Sequence, residues 1–151
     1  MTVGYLLDTS VISALVPGRP PVPSGLAGWL LQQSDLLFIP ATAIAEIEQG
    51  IAKLHRAGAV ARASSLEAWL DSLLVSYADR ILPFDAQSAR IAGRKSEAAL
   101  AAGNHPGFAD ITIAAIALRH DLTVLTSNRR HFSVLGVSVA DPFEALPHLS
   151  P

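Results

Sequence analysis

The chain contains no cysteine, which excludes disulfides and thiolate-ligated metal sites. Charge is scarce too. Asp, Glu, Lys and Arg make up 16% of the residues, against roughly 25% in a typical soluble domain. A surface this poor in charge points to partial cover by a partner, either a second copy or an inhibitory protein. Basic residues are not in excess, and the formal net charge is −2. A protein that holds nucleic acid by charge alone is usually basic, so a tight passive binder is disfavoured. A nuclease is not, because metal-binding carboxylates cancel Lys and Arg in the sum and the metal reverses their local sign. Long apolar runs are also missing. Residues 111–118 are apolar apart from Thr112, too short a stretch to span a bilayer. No basic segment precedes an apolar run at Met1-Thr2-Val3, so no signal peptide is read there. A cytoplasmic protein with no membrane contact is expected. There is no internal repeat, no low-complexity segment, no dividing linker and no Gly-rich phosphate loop. The histidines lack a convincing metal-ligand spacing.

What is present is a regular alternation. The 151 residues suit a single domain, 1–151, with a core that needs no staples. Residues 3–7 form a short apolar run that ends at Asp8, as a strand buried on both faces does. Thr9 or Ser10 can cap the next helix, which carries Ile12, Leu15 and Val16 and stops at Pro17-Gly18. Residues 17–24 hold four of the ten prolines and form a loop. Leu26–Gln33 reads as a helix and Leu36–Ile39 as a strand stopped by Pro40. A helix from Ala41 or Thr42 carries Ile44, Ile47, Ile51 and Leu54, three and four apart, and closes near Gly58. Residues 60–76 are helical, with Leu66, Trp69, Leu70, Leu73 and Leu74 on one side. Arg80–Leu82 is a third strand. Asp85 caps a helix to about Ala102, residues 103–107 form a turn-rich loop, and Asp110 opens a helix to about His120. Val124–Thr126 and Val137–Val139 are the fourth and fifth strands, and the tail from Asp141 packs irregularly. Strands alternating with helices specify an α/β sandwich with a mostly parallel sheet.

In such a sheet ligands gather outside the carboxyl ends of the strands. Asp8, Asp110, Thr126 and Asn128 fall at that edge, and Glu46 lies about one turn into the helix after the second strand. Crowded carboxylates repel, and a hard divalent cation such as Mg²⁺ or Mn²⁺ relieves that cost. Such an ion also activates water and neutralises charge developing on a phosphodiester. Each acid alone has a plainer reading. Asp8 and Asp110 suit helix caps or first-turn acids, and Glu46 can face solvent, with Glu48 as its competitor. Ser10 and Thr126 can fix a carboxylate, cap a helix or touch substrate. Arg129, Arg130 and His131 are expected in a loop beside the site, able to hold phosphates. Arg90, Arg94 and Lys95 form another modest basic group, and His105 can touch substrate. The stripes around Ile47 and Trp69 are larger than a short domain needs, and part of them suits a partner's amphipathic helix.

Four ordered segments carry a resemblance: Leu6-Leu7-Asp8-Thr9-Ser10, residues 43–50 around Glu46, residues 109–117 around Asp110, and Leu125-Thr126-Ser127-Asn128-Arg129-Arg130-His131-Phe132. Pro83-Phe84-Asp85 and residues 137–143 suit it as well. Together they resemble PIN-domain ribonucleases, in particular VapC-type toxins of VapBC toxin–antitoxin pairs, in the FitB-like branch. The resemblance implies a three-layer α/β/α sandwich whose five-stranded parallel sheet has the order 3-2-1-4-5. It implies a Mg²⁺- or Mn²⁺-dependent endoribonuclease that leaves 5′-phosphate and 3′-hydroxyl ends. It implies a homodimer, and a VapB- or FitA-like antitoxin partner through which operator DNA is bound, in heterotetramers or larger assemblies. Asp8, Glu46 and Asp110 match the family's core acids and metal ligands. Its frequent fourth acid is Asn128 here, which brings no negative charge and implies one firmly bound ion. The competing readings are a metal-dependent phosphatase of α/β fold and a catalytically weak protein-interaction module. Ser10, where a phosphatase of that type would carry a second Asp, weighs against the former.

Overall fold

The short apolar runs pair edge to edge, and the helical stretches between them cover both faces of the resulting sheet. The computed structural model describes residues 4–148; Val3, counted above in the first strand, lies outside them. In chain order the elements are β1 (Tyr5–Leu7), α1 (Thr9–Ala14), α2 (Leu26–Gln32), β2 (Leu37–Pro40), α3 (Ala41–Arg56), α4 (Val60–Ser76), β3 (Ile81–Leu82), α5 (Ala86–Ala101), α6 (Phe108–His120), β4 (Thr123–Leu125), α7 (Arg129–Ser133) and β5 (Val139–Ala140). All strand pairs are parallel and the order is β3-β2-β1-β4-β5. This is the three-layer α/β/α sandwich with the 3-2-1-4-5 sheet. Among the described residues no helix is long and apolar enough to cross a membrane.

Successive strand residues face opposite sides of a sheet, and two cores follow from that. Leu6 and Val124 face a core completed by Ala92, Ile113, Ile116 and Phe132 of α5, α6 and α7. Leu7, Leu37, Ile39 and Leu125 face the other, with Ile12, Leu26, Trp29 and Ala43. Burial on both faces is why the strands read as unbroken apolar runs. The apolar run in α6 has the same cause, since Ile111 to Ala117 are all buried. A third cluster joins α3 to α4 around Ile51, Ala63 and Leu70. Much of the apolar stripe that looked excessive in sequence is used there. A groove of about 290 Å³ remains beside it, lined by Val16, Ile47, Leu54, Leu66 and Trp69.

Several boundaries differ from expectation. Residues 129–133 form the single-turn α7 and not a loop. One isolated turn is unstable in water; here the wholly buried Phe132 pins it to the first core. α6 begins at Phe108 with Gly107 at its N-cap, so Asp110 is a first-turn acid and does not open the helix. β4 ends at Leu125, leaving Thr126 just past the strand. β5 pairs through Val139 and Ala140, while Val137 turns into the first core instead. Thr9 and Ser10 lie inside α1, whose N-cap position is Asp8. The tail is partly ordered by packing, with Phe143 and Leu146 against the second core.

Candidate active site

Neighbouring strand ends place the first two groups. The backbone N–H of Asp8 donates to the Leu125 carbonyl, and that of Thr126 to the Ala140 carbonyl, 2.9 and 3.0 Å. Asp8 and Thr126 therefore leave adjacent parallel strands at the same edge, both buried. A buried carboxylate needs hydrogen bonds, and Asp8 Oδ2 accepts two, from Ser10 Oγ and Thr126 Oγ1, each at 2.8 Å. The hydroxyls are themselves aimed. Ser10 Oγ accepts from the Ser127 N–H at 3.1 Å and Thr126 Oγ1 from the Asn128 N–H at 2.9 Å. Two backbone amides thus orient two hydroxyls onto one carboxylate oxygen, while Oδ1 accepts no bond among the described residues. The Ser10 and Thr126 hydroxyls are engaged by Asp8, and Thr126 is wholly buried. Of the roles expected for these two residues, fixing a carboxylate is the one their bonds to Asp8 express.

Glu46 projects from α3, exposed, and its Oε1 accepts from Thr9 Oγ1 at 2.7 Å. Thr9 and Ser10, neighbours in the chain, therefore address two acids at once. α3 is also tied to α6. The Thr112 hydroxyl donates to the Ala109 carbonyl at 2.7 Å, so in its 2.8 Å contact with Thr42 the Thr42 hydroxyl is the donor. Nothing in the sequence pattern marked this pair, because both threonines sit inside apolar helical stretches.

Asp110, half-buried, has Oδ2 3.2 Å from His131 Nδ1. Burial pushes its carboxyl above the usual value, the Asp8 charge adds to the rise, His131 opposes it, and Glu46 raises it further. Asp110 therefore feels both other acids. Among the described residues, however, no group of three or more His, Cys, Asp or Glu is arranged to hold a metal ion. The donor chemistry still suits one: carboxylate oxygens are hard ligands, and a cation would relieve the repulsion felt at Asp110. His131 was read in sequence only as part of a basic run; the missed signal is its place on α7, one residue before the buried Phe132.

The other candidates separate. Asn128 occupies the N-cap position of α7 with no side-chain cap bond; its backbone serves Thr126, and its side chain is exposed. Arg129 is held by Glu144 at 2.7 Å. Arg130 pairs with no carboxylate among the described residues and lines a groove of about 410 Å³ with His105, Asp110 and His131. Arg90 and Arg94 are exposed on α5, and Glu48 is exposed with no bond in this network.

The PIN domain family model matches residues 5–137. The chain belongs to the PIN-domain family. Its similarity to relatives falls among VapC-type toxins. It is 36% identical over 141 residues to toxin FitB of Neisseria gonorrhoeae, covering 91% of this chain and 97% of FitB. It is 30% identical over 141 residues to VapC ribonuclease Y4jK of Sinorhizobium fredii, covering 92% and 97%. The crystal structure of FitAcB from Neisseria gonorrhoeae matches this PIN fold with a TM-score of 0.79 at 34% identity, covering 91% of this chain and 97% of that one.

Proposed function

We propose that this PIN-domain chain, acting as one domain over residues 1–151, is a divalent-metal-dependent endoribonuclease and the toxin of a toxin–antitoxin pair in the cytoplasm. The observation that carries the reading is the fixed Asp8 carboxylate, braced by Ser10 and Thr126, beside an Asp110 whose proton affinity responds to both Asp8 and Glu46. Similarity to a named VapC ribonuclease and to toxin FitB supports it.

Asp8 and Asp110 would hold a Mg²⁺ or Mn²⁺ ion, with Glu46 as a further ligand or as the group that orients water. When bound, the ion supplies charge neutralisation at phosphate and a more acidic water. The chain's own residues prepare that site. The Ser127 and Asn128 amides fix two hydroxyls, the hydroxyls fix Asp8, and Thr9 restrains Glu46. His131 restrains Asp110. In the reaction a water oxygen bonds to phosphorus as the bond to O3′ breaks. The proton ends on O3′, leaving a 5′-phosphate and a 3′-hydroxyl. The neutral Asn128 adds no charge for a second ion, so one firmly held ion is proposed.

The partner is an amphipathic helix of an antitoxin, seated in the apolar groove between α1, α3 and α4, where Arg19 and Arg62 join the lining. The toxin itself forms a homodimer, and operator DNA is reached only through the antitoxin. The test compares RNA cleavage by the wild type and by Asp8→Asn with Mg²⁺ or Mn²⁺, after the partner has been removed. Wild-type cleavage with at least a hundredfold loss in the variant is expected. Equal cleavage by both would overturn the metal assignment, and hydrolysis of small phosphate esters without RNA cleavage would favour a phosphatase.

A further inference from the structure

The two flanks of the acid cluster are built from different chemistry. Beyond Glu46 the surface is a groove floored by Ile47, Leu54, Leu66 and Trp69. Beyond Asp110 it is a groove of about 410 Å³ between the 104–107 loop and α7, lined by Asn104, His105, Arg130 and His131. Asp110 is the only carboxylate among the described residues lining this second groove. Everything polar outward of it is a cation, an imidazole or an amide. Arg130 is exposed and pairs with no carboxylate among the described residues; of the two acids in the other groove that it lines, Glu144 holds its neighbour Arg129 and Asp141 accepts from the Phe143 N–H. The opposite wall is set by backbone and not by chance. Gly103 takes φ +83°, and the Gly103 and Asn104 N–H groups donate to the Leu100 and Ala99 carbonyls, which closes α5 and fixes where His105 begins.

We infer that this groove binds the RNA phosphodiester adjacent to the one cleaved, with Arg130 as its principal ligand and His105 as the second. The inference rests on the ribonuclease reading above and gives the strand a direction across the site. The RNA leaves the acids past Asp110, over α7 and against the 104–107 loop, and the apolar Glu46 flank stays free for protein. A guanidinium without a competing carboxylate is the group that holds a phosphate through paired N–H donors. His131, already on Asp110, marks where the metal-facing part of the groove gives way to its phosphate-facing part.

The test uses the full chain and a short single-stranded RNA, with affinity read by fluorescence anisotropy in EDTA across a salt series. Cleavage constants with Mg²⁺ are read in parallel. Arg130→Ala is expected to weaken binding about five- to tenfold and to reduce the salt slope by about 0.7, the release expected for one phosphate contact on a single strand. Arg130→Lys should recover part of the affinity and the whole slope. In cleavage the loss should appear mainly in KM. Adding His105→Ala to Arg130→Ala should weaken binding further. Arg94→Ala, which removes the same charge from α5, should stay within about twofold of the wild type. Unchanged binding in Arg130→Ala, or an equal loss in Arg94→Ala, would overturn the groove while wild-type cleavage keeps the ribonuclease reading intact. If the wild type neither binds nor cleaves RNA, both readings fall. If Arg130→Ala instead releases a protein partner with RNA affinity unchanged, the groove is a protein site and the inference is wrong.

Discussion

Removing the Thr126 hydroxyl would take one bond from the buried Asp8 and leave the Asn128 amide without its acceptor. Thr126→Val keeps the shape and should cost about 1–3 kcal/mol, measured by urea unfolding. Mn²⁺ affinity, measured by calorimetry, should fall with it, and Thr126→Ser should restore both; an unchanged affinity in the valine variant would show that the hydroxyl does not set Asp8. Asp110 gives a pH signature. Its proton is held more tightly in the folded chain, so the unfolded chain releases it first as pH rises. Stability therefore falls from the ordinary value of 3.8 up to the raised one and stays lower above it. In metal-free buffer Asp110→Asn should melt higher than the wild type above that window and level with it below. An Asn there still accepts from His131. Scanning calorimetry at acid and neutral pH checks this, and a variant that melts lower at neutral pH would contradict it. Sequence spacing named the acids, and Ser10 and Thr126 as residues able to fix a carboxylate, but not the groups behind them. Ser127 and Thr9 act through bonds spanning 117 and 37 residues, beyond any local pattern.

At the scale of elements, caps and close approaches were partly legible. Asp85 was expected to cap the following helix, and its carboxyl accepts from the Ser88 N–H at 2.8 Å. That bond holds the Asp85 carboxyl below its usual value. Its stabilisation is present above the ordinary carboxylate range and is lost as pH falls through the lowered value. Asp85→Ala should lower Tm at neutral pH, and the gap should close in strong acid; a gap independent of pH would point to packing instead. Gly4 was read only as part of an apolar strand. A Cβ there would lie 2.7 Å from the Leu36 backbone carbonyl, and backbone cannot swing aside as a side chain can. Gly4→Ala should therefore destabilise by about 1–3 kcal/mol, visible as a lower urea midpoint. The short α7 was not legible. Arg129-Arg130-His131 carries no helical periodicity, and only Phe132 docking in the core makes one turn stable.

For the whole molecule the expected mark of a bound ion is mutual. A ligand at a hundred times its dissociation constant stabilises the native state by about 2.7 kcal/mol, so Mn²⁺ should raise Tm in the wild type and EDTA should reverse it. The same Mn²⁺ should do little for Asp8→Asn, and an equal rise in both proteins would place the ion elsewhere. The sequence by itself determined the layered α/β architecture, because strands buried on both faces must be apolar throughout and helices must carry a stripe. It also placed Asp8 at the carboxyl edge, because a strand's end is a local feature. Only the tertiary structure decided that Thr126 and Ser10 serve Asp8, that His131 meets Asp110, and that Arg129 is neutralised while Arg130 is not. Those choices depend on which strand ends lie side by side and on how a one-turn helix is pinned, and hydrogen bonds across so many residues leave no period in the chain.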